Sequence, residues 1–351
     1  MSASQFTTES GNPEKSVWHY HPQVPVSFSP LFDWPLDIVA VFRWFAKAWF
    51  SVSQHLTFVL LAVFIWLFLT PNLQVMKEVN IDWLAQLYLR NLLIYLIVAG
   101  GLHLYFYRWK FQGDLFKYEY KQLERNHPRF TFNNQVWDNI FWSLVSGVAI
   151  WTCYEALLLW MYANGSAPLI HWHSHPVWFV LAFPVLLILV GFHFYLNHRL
   201  LHHSFFYKRF HHVHHRNINT GPWSGISMHP VEHVLFFSSF LIHLVLPTHP
   251  IHLLFHVFWQ TLGAATSHAG FDAIAIKGKS RYPMGFFVHQ LHHKYFECNY
   301  GNADFPCDVW FGSDHDGTEE ATQRSKQRSK RIHQSRMSGP RSTAGSDRTD
   351  H

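Results

Sequence analysis

The sequence predicts an all-α integral membrane protein. It should have about four transmembrane helices, a Pro-broken helical hairpin and a cytosolic, histidine-rich helical cap. Three observations predict it. Several separate apolar runs reach or approach bilayer-spanning length. Charged residues make up only 14 % of the 351 residues, against about a quarter in soluble domains. Histidine is heavily over-represented, at 29 residues, and 18 of these lie between His193 and His293. The mean hydropathy of −0.02 hides this segregation, because the histidines and a polar tail offset strongly apolar segments.

Four regions follow from the pattern. Residues 1–52 open with a polar, Pro-punctuated stretch. Apolar residues then recur at helical spacing over 37–52, with Arg43 and Lys47 four apart, which reads as an interfacial helix or a lead-in to the first span. Residues 53–197 hold the spans: 53–70, 92–107, 139–163 with Glu155 inside it, and 177–197, the cleanest. Residues 198–312 hold the histidine motifs, interrupted at 234–265 by an apolar stretch. Pro247 and Pro250 break that stretch into a hairpin or re-entrant pair. Residues 313–351 are polar without apolar periodicity and read as a disordered tail.

Charge sets orientation and narrows partners. Net charge is +5, and no basic patch accompanies a nucleic-acid motif, so nucleic acid is set aside. Six Lys/Arg fall within 108–138. Segments 199–232 and 277–294 and the tail are also basic, whereas the links 71–83 and 164–176 are nearly free of positive charge. The positive-inside rule puts the basic segments and the C-terminus in the cytosol. Cys153, Cys298 and Cys307 are too few and too scattered for a disulfide framework or a thiolate zinc site, so any metal chemistry must come from histidine.

The histidine spacing is specific. His198 and His202 are four apart. His203, five from His198, points partly away. His211, His214 and His215 sit at i, i+3, i+4, while His212 faces elsewhere. His289, His292 and His293 repeat that pattern, and His229, His233 and His268 lie between. Neutral imidazole is a natural ligand for iron, zinc or copper. One turn with i, i+3, i+4 histidines offers at least two nitrogens to one cluster. Eight such histidines exceed what one tetrahedral zinc takes and suit two metals with open positions, an arrangement able to bind and reduce dioxygen. A lone histidine beside a span is ordinarily interfacial or capping, and His103, His243, His249, His252, His256 and the 171–175 run fall under that heading.

HRLLH at 198–202, FHHVHH at 210–215, HPVEH at 229–233, HAGFD at 268–272 and HQLHHKYFECNYG at 289–301 together resemble the fatty acid hydroxylase/sterol desaturase superfamily of membrane di-iron oxygenases. The resemblance covers about 193–312 and the spans before it. It implies hydroxylation or desaturation of a lipid C–H bond at two iron ions, with zinc as an alternative occupant of the isolated protein. It also implies dioxygen and a small electron carrier, such as cytochrome b5 or a ferredoxin with its NAD(P)H reductase. The membrane would be the endoplasmic reticulum in a eukaryote and the inner membrane in a bacterium. Carried over by position, the implied ligands are His198, His202, His211, His214, His215, His268, His289, His292 and His293. No catalytic residue separate from the metal centre is implied.

A second tier comprises His193, His203, His229, His233, Asp272 and Asn299, as ligands or as side chains that hold a ligand in place, with Glu232 beside them. Members acting on fatty acyl chains have a five-step first box, which would select His203, and a further histidine near the position of Asp272. HAGFD and HPVEH are more similar to the sterol-oxidising branches, so the substrate expectation is a sterol or related lipid, with an acyl lipid as the alternative. A histidine-lined metal transporter is the rival from another class.

Overall fold

The computed structural model describes residues 17–284, 286–302 and 304–337. Among the described residues, three helices are long and apolar enough to cross a membrane: Ile81–Arg108, Gln135–Ala163 and Pro176–Leu201. A fourth span is available if Ile38–Phe50 and Gln54–Phe68, bent by 43° at their junction, act as one. Each begins on a side chain or ring suited to a helix start. Asp37, Ser53, Asn80 and Asn134 accept hydrogen bonds from first-turn amides, and Pro176 opens the last span at a position where its missing N–H costs nothing. The outward faces are apolar, as at Leu89, Leu93 and Ile97 on one helix and Val177, Val180 and Leu181 on another. That is what a lipid solvent requires.

Two charges inside these spans are paired with each other. Arg90 forms an ion pair with Glu155. Asn91 Nδ2 donates to the other Glu155 oxygen at 2.8 Å, and Trp151 Nε1 does so at 3.1 Å. All four side chains are buried. The pair locks Ile81–Arg108 against Gln135–Ala163, and every polar atom in it has a partner, which a buried ion pair needs to avoid a net penalty.

The Pro-broken region forms two helical pieces, Pro230–Leu244 and Pro250–Ser267. The second is the central element of the core: Leu253, Leu254, Phe255, Val257, Phe258 and Leu262 are wholly buried. It lies along Gln54–Phe68 and also touches Pro176–Leu201. The break between the pieces meets the 164–176 link, with Ile170 N donating to Thr248 O at 3.1 Å. Lys77 O accepts from Asn164 Nδ2 at 3.2 Å, so the three short links share one end of the bundle. The histidine boxes sit at the other end, about 39 Å away along the 26-residue helix Pro176–Leu201.

Two features depart from expectation. An antiparallel hairpin, Ala273–Ile276 with Lys279–Pro283, interrupts the all-helical pattern. It turns through Lys277 and Gly278 at φ +52° and +72°, a conformation glycine adopts without strain. The tail, expected to be disordered from 313, instead carries the helix Glu319–Met337. Its inner face is made of small residues, Ala321, Thr322 and Ser325, so hydropathy gives no sign of it. Arg328 fastens it by donating to the carbonyls of Glu297 and Gly312. Residues 338–351 of the expected tail lie outside the described residues.

Candidate metal centre

Five elements bring the grouped histidines together. The last turn of Pro176–Leu201 supplies His198, and the next residue is His202. The short pieces Tyr207–His211 and His212–His215 supply the second box. Phe287–Tyr295 supplies the third, and His268 caps Pro250–Ser267.

The ring nitrogens converge into two groups. His198, His202, His211, His215 and His292 form one; His214, His268, His289 and His293 form the other. All nine are buried, and the donor atoms within each group lie within 4.8 Å of one another. Both i, i+3, i+4 boxes divide the same way. The i, i+4 pairs His211/His215 and His289/His293 each stay within one group, while the i+3 members His214 and His292 cross to the other. Residues four apart are offset by about 40° around a helix and residues three apart by about 60° in the opposite sense, so one turn reaches both groups.

The nitrogen geometry tests whether a cation fits. His202, His215 and His292 place their Nε2 atoms in a triangle with sides of 3.1, 3.3 and 3.0 Å. In the other group His268 Nε2 lies 3.0 Å from His289 Nε2 and 3.1 Å from His293 Nε2, which are themselves 3.2 Å apart. Three neutral imidazole nitrogens cannot all hydrogen-bond to one another, because at least one edge of the triangle must bring two lone pairs or two N–H groups together. A metal bonded to imidazoles at about 2.1 Å would hold neighbouring nitrogens about 3.0 Å apart at right angles and about 3.4 Å apart at the tetrahedral angle. The triangles fit that requirement.

In four of the nine the opposite ring nitrogen is tied down. His198 Nδ1 donates to the Tyr300 carbonyl at 2.7 Å, His292 Nδ1 to the Cys298 carbonyl at 2.6 Å and His268 Nδ1 to the Ala264 carbonyl at 2.8 Å. His211 Nδ1 meets Glu232 Oε1 at 2.7 Å. Each contact fixes a tautomer whose Nε2 lone pair faces inward. Accordingly His198 Nε2 and His211 Nε2 are buried with no hydrogen-bond partner. Burial, reinforced by neighbouring imidazoles, pushes His211, His214, His215 and His293 well below the usual histidine range. Burial likewise lowers His268, to about 4. All five are therefore neutral at pH 7, the form that coordinates metal.

The second-tier residues lie outside both groups. His203 is exposed. His229 caps Pro230–Phe237, its Nδ1 accepting from Val231 N at 3.2 Å. His233 is held at both nitrogens, by Ser146 Oγ at 3.1 Å and Ile226 O at 3.0 Å. Asp272 accepts from Tyr118 OH at 2.9 Å. Asn299 bridges the third box to the C-terminal segment, donating to Val288 O and His315 O and accepting from His315 N. His193 contacts Ser238 Oγ at 2.9 Å and faces a cavity. Sequence reasoning could not find the backbone carbonyls of Tyr300, Cys298 and Ala264, since any residue type supplies one.

That cavity, of about 110 Å³, touches both groups through His198, His211, His214, His268 and His289. Val190, Phe194, Phe236 and Trp259 make its walls largely apolar. The site thus defines a class: a helical protein with spanning helices, two buried all-histidine groups and an apolar chamber over both.

The comparisons agree with that class. Residues 183–313 match the fatty acid hydroxylase family model. The chain is 34 % identical over 124 residues to a Delta(7)-sterol 5(6)-desaturase of Gibberella zeae, spanning 34 % of this chain and 37 % of that one. It is 31 % identical over 149 residues to methylsterol monooxygenase 1 of Gallus gallus, at 41 % and 50 % coverage. It is 26 % identical over 244 residues to a Delta(7)-sterol 5(6)-desaturase of Candida glabrata, at 66 % and 60 %. The chain thus spans less than two thirds of the length of each of these relatives. No solved structure matches.

Proposed function

We propose that this protein is a membrane oxidoreductase that hydroxylates or desaturates a C–H bond of a sterol or related lipid. The observation that carries the reading is the apolar cavity opening onto both histidine groups. Bound at the nine histidines, two iron ions would supply dioxygen reduction and hydrogen removal from an unactivated carbon. The chain's own contribution is binding, orientation and dryness. The cavity wall takes an apolar substrate directly from the bilayer. The apolar walls disfavour water beside the histidine groups, which limits competing reactions. The Nδ1 contacts hold His198, His211, His268 and His292 in the coordinating tautomer.

Electrons would come from a small carrier such as cytochrome b5 or a ferredoxin, with an NAD(P)H reductase. The histidine end would face the cytosol, as the basic 108–138 and 199–232 segments favour, with the endoplasmic reticulum or a bacterial inner membrane as its location. The boxes follow the end of Pro176–Leu201 rather than interrupting a span, which favours an enzyme over a transporter with ligands at the membrane midplane.

The test uses iron-loaded protein in lipid nanodiscs with reductant and a sterol-containing lipid extract. Dioxygen uptake should accompany a lipid product one oxygen heavier or two hydrogens lighter. Fully loaded protein that consumes no dioxygen would overturn the reading.

A further inference from the structure

Two tyrosines pack on the first histidine group, and Tyr300 is the more deeply set. Its ring centroid lies 4.9 Å from that of His202, 5.7 Å from His292 and 6.0 Å from His198. It is 4 % exposed. Tyr207 is half-buried and stands 5.7 Å from His202. The backbone of Tyr300 is fixed on both sides. Its carbonyl accepts from His198 Nδ1 at 2.7 Å, and its N–H donates to Asp308 Oδ1 at 2.9 Å. The phenolic O–H donates to Glu297 Oε2 at 2.7 Å. Glu297 is half-buried, and Arg328 of Glu319–Met337 donates to its carbonyl. An aromatic ring that only packs needs no such partner: Phe296 lies 5.0 Å from His215 with no hydroxyl at all.

The charges around the ring decide what it can do. The Arg199 guanidinium stands 5.1 Å from the Tyr300 centroid, over the ring. A cation there is attracted to the neutral ring and opposes positive charge placed on it. Loss of an electron alone is therefore disfavoured. Loss of an electron together with the phenolic proton leaves the ring neutral. Glu297 Oε2 is already at hydrogen-bond distance to take that proton. Among the described residues, Gly301 lines the cavity and Tyr300 does not. The ring thus touches the histidines without meeting a lipid in the cavity.

We propose that Tyr300 is a one-electron relay that discharges the first metal group when dioxygen is reduced with no lipid in place. The assignment rests on the lipid-oxidising reading above. Tyr300 gives one electron to an oxidised metal ion of the first group, which is reduced by one. The phenolic O–H bond breaks, and the proton forms an O–H bond on Glu297 Oε2. Tyr300 is left as a neutral phenoxyl radical. One electron from the carrier that reduces the metal groups, with the proton returned from Glu297, restores the phenol. An oxidant able to take hydrogen from an unactivated carbon suffices, because the O–H bond of a phenol is weaker than that C–H bond. Phe194, Phe236 and Trp259 on the cavity wall are the side chains spared from a stranded oxidant.

The test is electron paramagnetic resonance. Iron-loaded, reduced protein in detergent, without added lipid, is mixed with dioxygen and freeze-quenched. The wild type should give a free-radical signal whose splitting narrows when the protein is made with ring-deuterated tyrosine. Tyr300→Phe keeps the ring and should lose the signal. Glu297→Gln keeps the ring and the hydroxyl, removes the proton acceptor, and should lose it too. Tyr207→Phe should retain it. Metal content in all three variants should equal that of the wild type. Dioxygen uptake that occurs only with added lipid, uptake without a tyrosyl signal, or a signal that survives in Tyr300→Phe or Glu297→Gln would overturn the relay and leave the lipid reading standing. A signal lost only together with metal would make Tyr300 a packing residue and overturn the relay as well. Loaded protein that takes up no dioxygen even with the sterol-containing lipid extract would overturn both.

Discussion

His211 and Glu232 are joined at 2.7 Å, Nδ1 to Oε1, with both side chains sealed from solvent. Among the described residues it is the one place where a side-chain carboxyl, rather than a backbone carbonyl, meets the Nδ1 of a grouped histidine. Burial pushes the Glu232 carboxyl well above its ordinary range. The contact works through an acceptor oxygen, which an amide also supplies. Glu232→Gln should therefore retain most metal, and Glu232→Leu should lose roughly 10- to 100-fold in metal affinity. Chelator competition followed by metal analysis reads the difference. Equal retention in both variants would show that His211 needs no orienting partner.

The first box offered two choices, and the geometry separates them. His202 Nε2 meets His215 and His292, while His203 faces outward. His202→Ala should lower the metal bound by the first group, and His203→Ala should leave both metal content and dioxygen uptake unchanged. The reverse result would select the five-step box.

Gly225 lies against the backbone that supports His268. A Cβ at Gly225 would sit 2.4 Å from both the carbonyl carbon and the oxygen of Ala264, and that oxygen accepts from His268 Nδ1. Backbone on both sides leaves little to yield. Gly225→Ala should cost about 1–3 kcal/mol of stability and loosen the group of His214, His268, His289 and His293. Thermal unfolding and metal content check it together; an unchanged melting temperature would contradict the packing.

His315 supplies a pH dependence remote from the metal groups. It is buried, stacks on Tyr295 with ring centroids 4.9 Å apart, and meets Thr322 at the start of Glu319–Met337. Burial lowers its pKa from 6.5 to about 4. The folded value lies below the unfolded one, so the unfolded segment binds the proton more readily. The stabilisation is complete above about pH 6.5, declines as pH falls, and is gone below about pH 4. Hydrogen exchange in Glu319–Met337 should accelerate across that window, and His315→Gln should flatten the dependence. A pH-independent exchange rate in the wild type would refute it.

The helical repeat made the boxes legible. The i, i+3, i+4 spacing places His211, His214 and His215, and again His289, His292 and His293, within one turn's reach of a shared centre. Their division into two groups was not legible, since it depends on how the two turns face each other across His202 and His268. Glu155 lay inside the apolar run 139–163, while Arg90 and Asn91 preceded the run 92–107; their mutual pairing is a tertiary fact that hydropathy cannot carry. The helix Glu319–Met337 escaped notice because it docks through Ala321, Thr322, Ser325 and the Arg328 hydrogen bonds, with no apolar stripe to announce it. His243 and His256 read individually as interfacial residues, and only the fold links them through Ser239 to Gln260.

The two histidine groups are proposed to hold one metal ion each. The most direct measurement is metal per chain in purified wild type, His292→Ala, His214→Ala and the double variant. The account predicts two in the wild type, a loss of one in each single variant and a loss of both in the double. A single metal in fully folded wild type, or single variants that each keep two, would contradict it.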